Sequence, residues 1–137
     1  MTIIGERLIA YLKTDSTLVT LLGSNANIFP MNVPLRKDKY IVIPTNVGKD
    51  GNNLPSDIGE VMVEIVVSRT VANAHKICLD IAKRVDALLN TKENLISNVD
   101  YTILNFVRDS SSGLQIDDTN NEFYIDISYS YIQQTET

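Results

Sequence analysis

Between Val71 and Asn90 the residues Ala74, Ile77, Cys78, Ile81, Ala82, Val85, Leu88 and Leu89 recur at i, i+3, i+4 and i+7. That spacing places them along one side of an α-helix. Asn73, Lys76, Asp80, Lys83, Arg84 and Asp86 take up the rest of its surface. A helix of about five turns cannot bury one apolar stripe by itself. No second segment of like length offers a coiled-coil partner, so the helix must lie across a sheet.

The strands beneath it are legible by their period of two. Glu60 to Thr70 sets Val61, Val63, Ile65 and Val67 on one face and Met62, Glu64, Val66 and Ser68 on the other. One side is wholly apolar and the other half polar, as in an antiparallel sheet covered on one face. Phe123, Ile125, Ile127, Tyr129 and Tyr131 alternate in the same way with Tyr124, Asp126, Ser128 and Ser130. Tyr40 to Ile43 is a β-branched and aromatic run closed by Pro44, and Tyr101 to Arg108 alternates more loosely. Ile28-Phe29-Pro30 reads as a brief edge strand whose pairing Pro30 ends.

Ahead of these, Ile4, Leu8, Tyr11 and Leu12 sit at helical spacing in Thr2 to Thr14, with Thr2 as an N-cap. Asp15 and Ser16 punctuate, and a second short helix carries Leu18 to Leu22, with Gly23 where a C-cap glycine belongs. Ser24 to Ala26 is a polar break. Asn46 to Ile58, with Gly48, Gly51 and Pro55 as breakers, is a long loop at a hairpin tip. Asp109 to Gly113 is a turn, Asp117 to Asn121 a polar approach to the last strand, and Gln133 to Thr137 a frayed tail. Neighbouring strands should pair antiparallel. The expected fold is therefore α+β, one domain over residues 1–137: a mostly antiparallel sheet of about four strands, packed on one face by the long helix, with two short N-terminal helices.

The net charge of -5, from 17 acidic and 12 basic residues, argues against gripping nucleic acid. The densest basic group, Arg36, Lys37 and Lys39, is interrupted by Asp38 and suits a solvated turn. A lone cysteine, Cys78, allows no internal disulfide framework and fits a reducing compartment. Met1 to Ala10 has Glu6 and Arg7 inside its apolar pattern, unlike a signal peptide. No apolar run approaches the roughly 18 residues of a membrane span.

Catalytic chemistry has little to build on. His75, the one histidine, lies three residues before Cys78, which is half a metal site at best. Cys78 belongs to the apolar stripe, so the pair reads as a core cysteine beside a partly exposed histidine. Ser110-Ser111-Ser112-Gly113 leads into a strand, whereas a phosphate cradle needs a helix N-terminus. Asp50, Asp57, Asp117 and Asp118 lack the spacing of a calcium loop and read as solvated carboxylates. Tyr129 and Tyr131 are expected to face the core, while Tyr124 is left between core and interface. No catalytic residue, cofactor or metal is expected.

Several segments, taken in order, do carry a likeness. They are the Leu8-x-x-Tyr11-Leu12 helix, Leu18 to Leu22 ending at Gly23, Ile28-Phe29-Pro30 and Lys39-Tyr40-Ile41-Val42-Ile43. The long polar loop, Val61 to Val67, Ala74 to Leu89 with Ala82-x-x-Val85-Asp86-x-Leu88-Leu89, and Phe123 to Tyr131 follow. Over nearly the whole chain this pattern resembles the tail-terminator, or tail-completion, proteins of long-tailed bacteriophages. Pro44 departs mildly from it, falling where such proteins often continue with a β residue.

The resemblance implies a structural virion protein of the tail, assembled in the host bacterial cytoplasm, and not an enzyme. It implies a ring, commonly a hexamer, that caps the tail tube, ends its polymerisation and offers the head-joining surface. Its partners would be further copies of itself, the tail tube protein and a head-completion or connector protein. DNA would pass through an acidic lumen without specific binding, and no membrane would be involved. Ring closure needs subunit edges that match heterologously. The candidate contact residues are Val47, Lys49, Asp50, Leu54, Asp57 and Ile58 on the long loop, Ser111 and Leu114 in the Ser110 to Asn120 stretch, and Tyr124. A head-completion or neck protein would show much the same pattern. A small cytoplasmic ligand-binding or enzymatic domain would need a concave apolar pocket with convergent polar groups, and the sequence nominates none.

Overall fold

The period-two runs join into one mixed sheet in the computed structural model, which describes residues 4–30, 37–44, 56–92 and 101–135. In chain order the elements are α1 (Ile4–Leu12), α2 (Ser16–Leu22), a 3-10 turn (Asn25–Asn27), β1 (Ile28–Phe29) and β2 (Lys39–Val42). Then come β3 (Ser56–Ser68), α3 (Ala74–Leu89), β4 (Tyr101–Ser111), β5 (Gln115–Asp117) and β6 (Glu122–Thr135). The strand order is β1-β2-β3-β6-β4, with β5 also paired to β6. β3 and β6 form the antiparallel centre, in register from Ser56↔Gln134 to Ser68↔Glu122. β3 and β4, which flank β6 and are both antiparallel to it, therefore run parallel to each other and are joined through α3.

The expected α+β class and the three helices stand, but the sheet differs in detail. Six strands are found among the described residues, against about four expected. β5 is only three residues long, too short to show alternation. β1 and β2 pair parallel, Ile28↔Ile41 and Phe29↔Val42, not antiparallel. The connection over 30–38 is longer than a tight hairpin loop, so no turn geometry dictates the pairing sense.

Several boundaries also move. β3 begins at Ser56, because the backbone of 56–58 pairs with 132–134; the predicted loop thus ends before Ser56, and its residues 46–55 lie outside the described residues, as does Thr2. That pairing to Gln134, with Tyr101 of β4 opposite Thr135, carries β6 to Thr135, so residues 133–135 are strand and not frayed tail. The polar break holds the 3-10 turn, capped by Ser24, whose Oγ accepts from the Ala26 N–H. α3 starts at Ala74 and not Val71, because Asn73 adopts a left-handed φ of 58 and breaks the helix there.

β4 runs on to Ser111, through part of the stretch expected to be a turn. Its register shifts between Leu104 and Val107, at Asn105 with φ 53, and again between Arg108 and Ser110. The first irregularity brings both Ile103 and Phe106 into the core, an odd and an even position. That explains the loose alternation in sequence. β4 is an edge strand, and the end of α3 covers it: the Thr91 N–H donates to the Phe106 carbonyl at 2.8 Å, and Asn90 Oδ1 accepts from the Arg108 N–H at 2.8 Å.

The core lies between the inner sheet face and the helices. Leu8 and Leu12 of α1, Leu18 and Leu22 of α2, and the α3 stripe close over Val63, Ile65, Ile127 and Tyr129. Phe106 stacks on Tyr129 and Tyr131, with ring centroids 5.1 and 5.9 Å apart. Tyr129, fully buried, donates its hydroxyl to Asp86 Oδ1 at 2.9 Å. Burial, followed by the charge of Asp86, pushes that phenol well above its ordinary value. α2 is fastened at both ends: Asp15 accepts from the Leu18 N–H at 2.8 Å, and Gly23, at φ 90, donates to the Val19 carbonyl at 2.8 Å.

Candidate functional site

Helices fill the inner face of the sheet, which leaves its outer face for partners. Alternation sends Tyr40 of β2, Glu64 and Val66 of β3, and Tyr124 and Asp126 of β6 to that side. Registry aligns them in two rows: Tyr40↔Val66↔Tyr124↔Gln115, and Val42↔Glu64↔Asp126. Together with Ile116, Asp117, Asp118 and Glu122 they line an open trough of about 400 Å³.

The trough is strongly acidic. Glu64, Asp117, Asp118, Glu122 and Asp126 are among its lining residues, and among the described residues no lysine or arginine is. Glu122 is buried and accepts from the Tyr40 hydroxyl at 3.1 Å. Asp117 accepts from the Asn120 side chain and backbone, and Asp118 meets Arg69 at 3.2 Å. Glu64 and Asp126 stand directly opposite each other in register, two carboxylates facing across one ladder. Asp126 Oδ1 is buried with no hydrogen-bond partner among the described residues. One exposed apolar side chain, Met62 at 38%, shares this face with the charge. Such a surface attracts cationic side chains and repels phosphate.

The other titratable groups do not converge on it. Cys78 is fully buried, its thiol 3.9 Å from the Ile65 carbonyl, and burial pushes its pKa up to about 12. His75 is exposed on α3, edge-on to Phe123 at 6.4 Å. No group of three or more His, Cys, Asp or Glu among the described residues is arranged to hold a metal ion. No helix there is long and apolar enough to cross a membrane.

The contact residues expected from sequence are distributed as follows. Val47, Lys49, Asp50 and Leu54 lie outside the described residues. Asp57 and Ile58 are in β3, opposite Gln133 and Ile132. Ser111 ends β4 opposite Ile127, and its Oγ accepts from the Gly113 N–H at 3.3 Å. Leu114 packs half-buried against the core. Only Tyr124 of the nine is seen to line the trough. Tyr129 and Tyr131 face the core as expected. Glu64, Asp126 and Ile116 were not singled out from sequence. Alternation already sends Glu64 and Asp126 outward; their registry, which makes them neighbours, is not a property of either strand alone.

No protein-family model matches the chain, and no curated protein does. Among solved structures it is similar to a chain of a structure described as the virion of native gene transfer agent (GTA) particle. The TM-score is 0.72, over 95% of this chain and 93% of that chain, at 12% sequence identity. At that identity the likeness shows a shared fold, and the fold spans nearly the whole of both chains.

Proposed function

We propose that the chain is a structural protein of a phage or phage-like virion, and within it a tail terminator. In this role it forms a ring, of six copies, that caps the tail tube, ends its polymerisation and presents the surface to which a head-completion or connector protein joins. The observation that carries the virion reading is the fold shared, nearly end to end, with a chain of a gene transfer agent virion. The order and length of the sequence elements favour the terminator within that class. A net charge of -5 suits a particle through which DNA passes without sticking. The role requires no catalysis, and the burial of Cys78 is in keeping with that.

The test has two stages. The mass of the purified protein is measured across a concentration series, and the same samples are imaged by negative-stain electron microscopy for closed rings of six. The protein is then added to polymerising tail tubes. Tubes that stop growing, with the protein at one end, are the expected result. Tubes that elongate unchanged, with no protein at either end, would refute the terminator role.

A further inference from the structure

We infer that Asn90 and Thr91, just past the end of α3, guard the β4 edge against a second copy of this chain, which without them would pair there β4 to β4. The geometry that carries this is independent of the tail reading. Of the sheet's edges, β1 is two residues long and runs into Pro30, which has no N–H to give. β4 is eleven residues long. Past its end the edge is tied by its own side chains. The Gly113 N–H donates to Ser111 Oγ at 3.3 Å, and Gln115 Nε2 donates to the Ser112 carbonyl at 3.0 Å.

Within β4 lies a self-complementary stretch. Val107 pairs inward with Ser130, so the Phe106 carbonyl and the Arg108 N–H on either side of it point away from β6. They are the acceptor and the donor that two antiparallel copies of β4, centred on Val107, would exchange. Val107 itself is 41% exposed, an apolar side chain that its own image would cover. In the single chain the guard fills both positions. The Thr91 N–H donates to the Phe106 carbonyl, and Asn90 Oδ1 accepts from the Arg108 N–H, each at 2.8 Å. Asn90 and Thr91 thus imitate one rung of an added strand. Thr91 does so at a left-handed φ of 62, which is costly for a β-branched residue, so contact with the edge is what holds it there. Arg108 grips the same end of the helix through Asp86, 2.9 Å from its guanidinium. Register shifts on both sides of Val107 and Arg108 keep the pairing short. The dimer that the guard prevents is therefore weak and symmetric, and it leads no further than two copies.

Disulfide trapping reads that dimer directly. Val107→Cys is placed in the chain with the guard intact, with Asn90→Ala, and with Thr91→Pro, which removes the donor. The native Cys78 is fully buried and does not compete. Each protein, confirmed as folded by circular dichroism, is oxidised mildly and run on a non-reducing gel. Linked dimer should form about tenfold faster with the guard opened than with it intact. If Thr91→Pro does not fold, Asn90→Ala alone decides. Ser110→Cys in the Asn90→Ala chain is the control for register. Its image lies far along the paired strand, so it should link no faster than Val107→Cys with the guard intact. Hydrogen exchange of the Arg108 amide in dilute Asn90→Ala should likewise be about tenfold faster than in the wild type. Equal linking with and without the guard, no linking in any variant, Ser110→Cys linking as fast as Val107→Cys, or an unchanged Arg108 amide would each overturn the assignment. Head-to-tail ring contacts do not bring Val107 to its own image, so none of these outcomes depends on whether the chain caps tubes.

Discussion

Arg84 of α3 grips the carboxylate of Asp15, 69 residues away, with two hydrogen bonds: Nη2 to Oδ1 at 2.7 Å and Nε to Oδ2 at 2.9 Å. The same carboxylate caps α2 through the Leu18 N–H, so one side chain ties the second helix both to its own first turn and to α3. The hydrogen bond from Arg84 holds the Asp15 carboxyl below its ordinary value of 3.8, against the opposing push of partial burial. A depressed carboxylate contributes stability that is present above the ordinary value and lost as pH falls through the folded one. Asp15→Ala should therefore cost ~1–3 kcal/mol near neutrality. The gap from wild type should close as urea denaturation is repeated below pH 3.8. A gap that does not change with acidity would mean the ion pair contributes nothing.

Gly59 sits directly opposite Tyr131, and the aromatic ring occupies the place of the missing side chain: a Cβ there would lie 2.5 Å from the ring. Tyr131 cannot simply swing aside, because Phe106 stacks against it. Gly59→Ala should destabilise by ~1–3 kcal/mol, read as a lower melting temperature. Combining it with Tyr131→Ala should remove most of the additional penalty, since the clash partner has gone. Additive losses in the double variant would show that the ring is not what excludes the methyl group.

Cys78, with its thiol raised to about 12, should be inert to a thiol-reactive dye at about pH 8 in the folded protein. It should react rapidly once denaturant is added. The folded-state rate should rise with urea in step with unfolding. Rapid labelling of the native chain would place the thiol at the surface and contradict the packing of α3 on β3.

Asp126 makes a prediction of opposite sign. Asp126→Asn removes the charge of a carboxylate whose Oδ1 is buried without a hydrogen-bond partner among the described residues, and supplies a donor in its place. The isolated chain should gain ~0.2–1 kcal/mol, measured by chemical denaturation at low protein concentration. Loss of stability instead would show that the Asp126 carboxylate is favourably paired in the free chain.

Much of the architecture was legible before any coordinates. The α3 stripe names its buried side almost residue for residue, because Ala74, Cys78, Ile81, Ala82, Val85 and Leu89 obey one helical period. Val61 to Val67 and Phe123 to Tyr131 are likewise legible, since alternation is local. β5 and the ends of β3 and β6 were not. Gln115–Asp117 and 56–58 have no pattern of their own and become strand only because β6 offers them a ladder. Tyr124 was identified as a possible contact, but the trough it borders needs carboxylates drawn from β3, β5, β6 and the turn between the last two.

The sequence by itself thus determined the long helix and the two central strands and which side of each is buried, because periodicity is written into neighbouring residues. It also determined the excess of negative charge. Only the tertiary structure decided that β6 inserts between β3 and β4, that β1 runs parallel to β2, and that Glu64 meets Asp126 across the sheet. These are pairings between residues far apart in the chain. Their choice depends on total burial and backbone hydrogen bonding over the whole sheet, a quantity that no single segment contains.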